Sequence, residues 1–131
     1  LAALGHDPNR PTLTIWEGVT MYLTEPAIDA TVTAVRRLSA PESRLAFTYF
    51  DRAMLTRPNV RMRLAGRAVA RLGEPFRFGW DPGGLESWLA ERELTLVEDR
   101  TVDAYARALL PARWARRVAD RGRHIAIARP R

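Results

Sequence analysis

The spacing of apolar residues divides the first half of the chain into a strand, a helix and a second strand. Leu13–Trp16 is an apolar run interrupted only by Thr14, which is typical of a strand buried on both faces of a parallel sheet. Apolar residues then recur at helical spacing over residues 25–38, where they are Ile28, Val32, Val35 and Leu38. Arg44–Phe50 is a second strand. Strand, helix and strand with short joints predict a βαβ unit whose two strands run parallel.

The second half alternates helical and extended patterns. Residues 51–72 are Arg-rich and predict a helix, with Ala65, Ala68, Val69 and Leu72 on one face. After a loop over residues 73–84, the order is helix, strand, helix, strand, with predicted ranges 85–93, 95–97, 102–110 and 124–128. The last strand is expected to run antiparallel to its neighbour. We therefore expect one α/β domain over residues 1–131.

Two acidic residues stand where the two parallel strands end. Glu17, followed by Gly18, comes directly after the first strand, and Asp51 comes directly after the second. Because ligands of open α/β sheets bind outside the carboxyl ends of the strands, these acids are candidates for one crevice. In the alternative interpretation, Glu17 caps the next turn or pairs with an arginine.

The arginines of residues 51–72 allow two interpretations. Arg63, Arg67 and Arg71 recur every four residues and share one helix face. Long arginine side chains commonly cover a solvated helix face. The alternative is a lid, or a patch that binds an anionic substrate.

Composition excludes several classes of site. The chain has no cysteine, so it has neither a disulfide framework nor a thiolate nucleophile. His6 and His124 lie far apart without metal-ligand spacing, and neither is predicted to face the crevice. No apolar run approaches the roughly 20 residues of a membrane span, and no signal-peptide pattern opens the chain. We expect a cytoplasmic protein.

The net charge of +6 raises nucleic acid as a partner. However, all 21 basic residues are arginine, whereas phosphate-binding surfaces also use lysine. Arginine without lysine in a chain rich in alanine and proline is typical of a GC-rich genome, which argues against nucleic acid. A Gly-rich phosphate loop and a nucleophile elbow are also absent from the sequence.

One segment carries a family resemblance. Residues 16–23, W-E-G-V-T-M-Y-L, resemble the leucine carboxyl methyltransferase-like family of class I S-adenosylmethionine (SAM) dependent O-methyltransferases. Residues 38–47 and 73–82 support the resemblance, which covers nearly the whole chain but only the second half of the family's domain. It implies the carboxyl-terminal part of a Rossmann-like fold, namely strands 4 to 7 of a sheet ordered 3-2-1-4-5-7-6, with strand 7 antiparallel.

The resemblance also implies roles for individual residues. Glu17, Gly18 and Val19 would line the pocket for the methionine end of SAM, and Tyr22 would lie on the substrate side. We add Asp51 to the substrate side because of its place at the neighbouring strand end. No catalytic residue is assigned. The resemblance implies an acceptor that is a small molecule with a carboxylate or hydroxyl group, in secondary or polyketide metabolism. A carboxylate needs no base at neutral pH.

The family's other cofactor-binding elements should lie upstream of Leu1. They are the Gly-rich loop after strand 1 and the acids after strands 2 and 3. Residues 1–5 read as the last turn of a helix, which suggests that the chain continues a longer protein. We therefore expect this chain alone to bind SAM weakly or not at all. Two other hypotheses stay open: a basic α/β module that binds nucleic acid or an acidic partner, and an inactive remnant.

Overall fold

The chain folds around one four-stranded sheet. The computed structural model describes residues 5–58, 60–71, 73 and 75–131, so the helix end predicted over residues 1–5 lies almost entirely outside the described residues. Strands β1 to β4 are Leu13–Trp16, Arg44–Phe50, Leu94–Thr101 and Arg123–Pro130. Helices α1 to α6 are Glu25–Arg37, Arg52–Thr56, Val60–Arg71, Pro82–Ala90, Val102–Leu109 and Ala112–Ala115, and a short 3-10 helix covers Thr20–Tyr22.

The sheet has the order β1-β2-β4-β3. β1 and β2 are parallel, with Trp16 opposite Phe47, and β4 is antiparallel to both of its neighbours. The predicted α/β fold, its parallel βαβ unit and its antiparallel last strand are confirmed. The order is also the one that the resemblance implied for strands 4, 5, 7 and 6. The carboxyl ends of β1, β2 and β3 therefore share one edge of the sheet with the start of β4.

One face of the sheet is covered by α1 and α4. The predicted apolar face of α1 supplies Ile28 and Val32, which are buried, and α4 supplies Leu85 and Leu89. These four side chains pack in one cluster with alternate residues of β2 and β4, which are Leu45, Phe47, Tyr49, Ala126 and Ala128. Burying each large apolar side chain stabilises the fold by about 1.5–3 kcal/mol. This cluster holds the strand ends in place.

The opposite face of β1 is open in the described part of the chain. The prediction that this strand is buried on both faces is wrong there, because Leu13 and Ile15 are 62% and 69% exposed. The pleat turns alternate side chains to opposite faces. Trp16 therefore joins the covered core, while Leu13 and Ile15 point away from it.

Three predicted elements differ from the structure by more than two residues. The helix predicted over residues 51–72 is two helices, α2 and α3, separated at Pro58, because proline cannot donate a helical hydrogen bond and restricts the residue before it. β3 continues to Thr101, beyond the predicted 95–97, since a register shift between Leu96 and Glu98 lets the ladder resume. α4 begins at Pro82, where the Asp81 carboxylate accepts a hydrogen bond from the Gly83 amide.

Asp103, in the first turn of α5, is buried and held by its neighbours. Its carboxylate accepts hydrogen bonds from the Thr101 hydroxyl and from the Arg107 guanidinium, the latter at 2.7 Å. These two hydrogen bonds, with the nearby charges of Arg107 and Arg121, lower the pKa of Asp103 from 3.8 to about 2. The ionised carboxylate therefore stabilises the junction between β3 and α5.

Candidate functional site

The loop that follows β1 is fixed to β2 at two points. Gly18 has φ +70, a left-handed conformation that glycine adopts without a steric cost. Its amide donates to Thr48 Oγ1 at 2.8 Å, and the buried Thr20 hydroxyl donates to the Thr48 carbonyl at 2.7 Å. Neither Thr48 nor Thr20 was predicted from the sequence. The available signal was the single polar residue within the apolar run of β2.

Glu17 lies at the end of β1 with its side chain exposed. It makes no hydrogen bond or ion pair with the described residues, so the alternative of a capping or arginine-paired acid is not realised among them. Glu17 lines a cavity of about 300 Å³ with residues 15, 16, 46–48 and 125. The structure therefore leaves a carboxylate at the strand end beside a largely apolar cavity.

Val19 and Tyr22 flank the next turn. Val19 is 41% exposed and precedes the 3-10 helix. The carbonyl of Met21 accepts hydrogen bonds from the amides of Arg77 and Phe78, at 2.7 and 3.3 Å. Tyr22 is half-buried, and its ring centroid lies 5.6 Å from that of Phe76. The segment after β1 is therefore joined to residues 76–78.

Asp51 stands at the end of β2, on the same sheet edge as Glu17. Its carboxylate accepts a hydrogen bond from the Ala53 amide at 2.8 Å and caps α2, where a negative charge also suits the helix dipole. Its own amide donates to the Gly122 carbonyl at 2.8 Å. Asp51 is not among the residues that line the cavity at Glu17. The structure thus places the two acids at one edge but not in that one cavity.

A buried polar network on the covered face of the sheet was not predicted. Asp99 accepts a hydrogen bond from the Tyr49 hydroxyl at 2.7 Å and contacts His124 Nδ1 at 3.0 Å. The rings of Tyr49 and His124 stack with centroids 4.9 Å apart. Burial and the hydrogen bond to Asp99 raise the pKa of Tyr49, so its phenol remains a donor. The side chain of His124 lies on the same face of the sheet as Tyr49. Glu17 follows Ile15 by two residues and therefore lies on the open face.

Two other kinds of feature are not found in the described ranges. Residues 5–58, 60–71, 73 and 75–131 contain no group of three or more His, Asp or Glu side chains placed to hold a metal ion. Over the same ranges, no helix has both the length and the apolar character needed to cross a membrane.

Sequence comparison finds similarity between this chain and proteins provisionally named methyltransferases. The profile of the family described as leucine carboxyl methyltransferase matches residues 1–36. A provisionally named SAM-dependent methyltransferase of Frankia alni is 42% identical over 114 residues, which are 84% of this chain and 37% of that protein. One of Mycobacteroides abscessus is 31% identical over 116 residues, 82% of this chain and 36% of that protein. The chain thus spans little more than a third of these relatives.

Structural comparison shows the same fold. A protein of Streptomyces avermitilis from the DUF574 family superposes with a TM-score of 0.68 at 19% identity, over 95% of this chain and 46% of that one. A provisionally named methyltransferase of Thermobifida fusca superposes with a TM-score of 0.58 at 20% identity, over 95% and 45%. The resemblance that the W-E-G-V-T-M-Y-L segment indicated is confirmed, because the segment lies within the residues 1–36 that match the leucine carboxyl methyltransferase family. The chain has part of the Rossmann-like fold of the compared structures and is similar in sequence to proteins provisionally named SAM-dependent methyltransferases.

Proposed function

We propose that this chain is the carboxyl-terminal portion of a SAM-dependent O-methyltransferase that acts on a carboxylate or hydroxyl group of a small molecule, in secondary or polyketide metabolism. The supporting observation is the Glu17 carboxylate, which lies without a partner among the described residues at the end of the first parallel strand. It stands in the segment that resembles the family, on a sheet with the order expected for strands 4, 5, 7 and 6.

The residues around Glu17 fit the methionine end of SAM. That end carries an ammonium group, which an unpaired carboxylate can bind as a charged hydrogen-bond acceptor. At Gly18 no atom lies within 4 Å of the position that a Cβ would occupy, so a ligand can approach the backbone there. We assign Glu17, Gly18 and Val19 to the cofactor side. When bound, SAM supplies an activated methyl group.

The acceptor side is assigned to Tyr22 and Asp51. Tyr22 ends the turn that begins at Glu17, and Asp51 stands at the neighbouring strand end. Transfer to an oxygen requires chiefly that the acceptor be aligned with the methyl group. A carboxylate or an acidic phenol is already ionised or nearly so, whereas an alcohol would require a base. His124 is engaged with Asp99 on the covered face, which favours the more acidic acceptors.

The open face of β1 supports the proposal that the chain is completed by a preceding part of a longer protein. Leu13 and Ile15 expose an apolar surface, and β1 is an edge strand, which makes it a site for further strand pairing. In the proposed whole domain, the preceding part covers this face. It also brings the Gly-rich loop and the acids that bind ribose and adenine. Calorimetric titration of this chain alone should show weak SAM binding or none, and tight stoichiometric binding would refute this expectation.

The role of Glu17 is tested by calorimetric titration of SAM into the complete protein and its variants. Glu17→Ala should weaken SAM binding at least about tenfold, because losing a hydrogen bond to a charged group costs about 1.5 kcal/mol or more. Glu86→Ala is the matched control, since Glu86 is also exposed but lies in the middle of α4. Equal SAM affinities for the two variants would remove Glu17 from the cofactor site.

A basic binding module remains the second candidate because of the net charge of +6 and the exposed Arg63, Arg67 and Arg71 on α3. Such a module would bind a DNA or RNA oligonucleotide with an affinity that falls steeply as salt rises. It would also be insensitive to Glu17→Ala. Binding of this kind, in a complete protein that does not bind SAM, would favour the module over the methyltransferase.

A further inference from the structure

A second cavity lies between α2 and α3, away from Glu17. Its volume is about 360 Å³, within the range of small-molecule sites. Its apolar wall is formed by Met54, Leu55, Pro58, Met62, Ala70, Pro75 and Phe76. Methionine side chains adapt readily to ligands of different shape. We call this space the α2–α3 cavity.

Two arginines complete the lining of the α2–α3 cavity. Arg63 and Arg67 lie one turn apart on α3 and both line it, together with Gly66 between them. Neither guanidinium makes an ion pair or a hydrogen bond with the described residues, and the described lining contains no carboxylate. Arg71, one turn further along the helix, does not line the cavity. Guanidinium groups bind carboxylates through two parallel hydrogen bonds.

The packing of α3 agrees with a helix that covers a ligand. The predicted apolar face of α3 packs only in part: Ala65 and Ala68 are exposed and Val69 is partly buried, while Leu72 lies outside the described residues. The less exposed positions include Met62 and Gly66, which line the α2–α3 cavity. A ligand in the cavity would therefore contact the side of α3 that faces the rest of the chain.

The α2–α3 cavity also adjoins the proposed acceptor side. Phe76, at its wall, has its ring centroid 5.6 Å from that of Tyr22 and 5.1 Å from that of Phe50. The cavity at Glu17 shares no lining residue with it. Phe76 therefore connects the wall of the α2–α3 cavity to Tyr22 on the proposed acceptor side.

We infer that the α2–α3 cavity binds the distal end of the methyl acceptor, an organic carboxylate with an apolar body. Arg63 and Arg67 hold the carboxylate, and the apolar wall holds the adjoining carbon chain or ring. The oxygen that receives the methyl group is then a different group of the same molecule, presented past Phe76 toward Tyr22. The inference that the ligand is the acceptor rests on the proposed function. Binding of the carboxylate to the cavity does not.

Octanoate is a suitable probe, and octanamide is its neutral analogue of nearly the same shape. Calorimetric titration of this chain, without SAM, should show octanoate binding at least about tenfold tighter than octanamide, because a charge-assisted pair adds about 1.4 kcal/mol or more. Arg63→Gln combined with Arg67→Gln should remove this difference. Arg71→Gln, on the same helix but outside the cavity, is the matched control and should retain it.

Two further variants separate the α2–α3 cavity from the open apolar face of β1. Gly66→Leu should fill the cavity and abolish octanoate binding. The fold should be retained, because leucine favours a helix more than glycine does. Ile15→Lys changes the open face and should leave octanoate binding unchanged. Loss of binding in Ile15→Lys but not in Gly66→Leu would overturn the assignment to the cavity.

The remaining outcomes separate this inference from the proposed function. Equal affinity of octanoate and octanamide, or an equal effect of Arg71→Gln, would overturn the carboxylate site. If the complete protein bound octanoate but not SAM, the carboxylate site would be supported and the proposed methyltransferase function would be refuted. Methyl octanoate formed by the complete protein with SAM would show that the carboxylate is the methylated group, and would overturn the role of the cavity as an anchor.

Discussion

Thr48 fixes the conformation of the loop after β1, and replacing it with valine tests that role directly. Valine keeps the shape of threonine and suits a strand, but it removes the Oγ1 atom that accepts the hydrogen bond of the Gly18 amide at 2.8 Å. The bond from Thr20 to the Thr48 carbonyl is unaffected, because its acceptor is backbone. Since Gly18 is exposed and water can replace the lost acceptor, the cost should be about 0.5–1 kcal/mol.

Hydrogen exchange of the Gly18 amide, followed by NMR, measures this loss. In Thr48→Val the amide should exchange about 2- to 5-fold faster, which corresponds to that free energy. Thr48→Ser keeps the oxygen and should restore the protection. Thr14→Val, on the neighbouring strand, is the control because the Thr14 hydroxyl makes no hydrogen bond with the described residues. Unchanged exchange in Thr48→Val, or equal exchange in the serine and valine variants, would refute the role of Thr48.

Three further substitutions test the packing beneath the site. Tyr49→Phe removes the hydrogen bond to the Asp99 carboxylate and should lower the free energy of unfolding in urea by about 1.5–3 kcal/mol. An unchanged urea midpoint would show that this hydrogen bond does not stabilise the fold. The pKa of Asp103 is lowered to about 2, so its contribution to the free energy of unfolding is complete above the ordinary pKa of 3.8 and is lost as the pH falls toward 2. In Asp103→Asn the free energy of unfolding should therefore depend less on pH between these two values, and an unchanged pH dependence would contradict this. Gly79→Ala should lower the melting temperature, because its Cβ would lie 2.7 Å from the Phe50 carbonyl oxygen; Gly84→Ala, which meets no atom within 4 Å, should not.

The sequence predicted the features that depend on local periodicity. The helix face of Ile28 and Val32, the parallel strands and the antiparallel last strand all follow from apolar spacing and chain connectivity. The place of Glu17 at a strand end also followed, because an acidic residue and a glycine after an apolar run mark the end of a strand. The absence of a partner for Glu17 among the described residues could not be predicted, since it depends on which side chains the fold brings near.

The missed features depend on contacts between distant segments. Asp99 lies beyond the strand predicted over residues 95–97, and only the pairing of β3 with β4 shows that it joins Tyr49 to His124. The break at Pro58 was visible in the sequence. A helix over residues 51–72 takes no account of this proline, and the predicted helix was therefore too long.

The two proposed ends of the site differ in how firmly the fold holds them. The loop that carries Glu17 follows β1 and is hydrogen-bonded to β2, whose inward residues Leu45, Phe47 and Tyr49 are buried in the main core. By contrast, none of the described side chains of α3 is buried, and Val60 and Leu64 are 63% and 60% exposed. Helices with few buried contacts open more readily than core strands. In the proposed site, the firmly held loop after β1 would set the position of the methyl group, and the more mobile α3 would adjust to the acceptor. Because these are separate parts of the chain, the same strand end could serve acceptors of different shape.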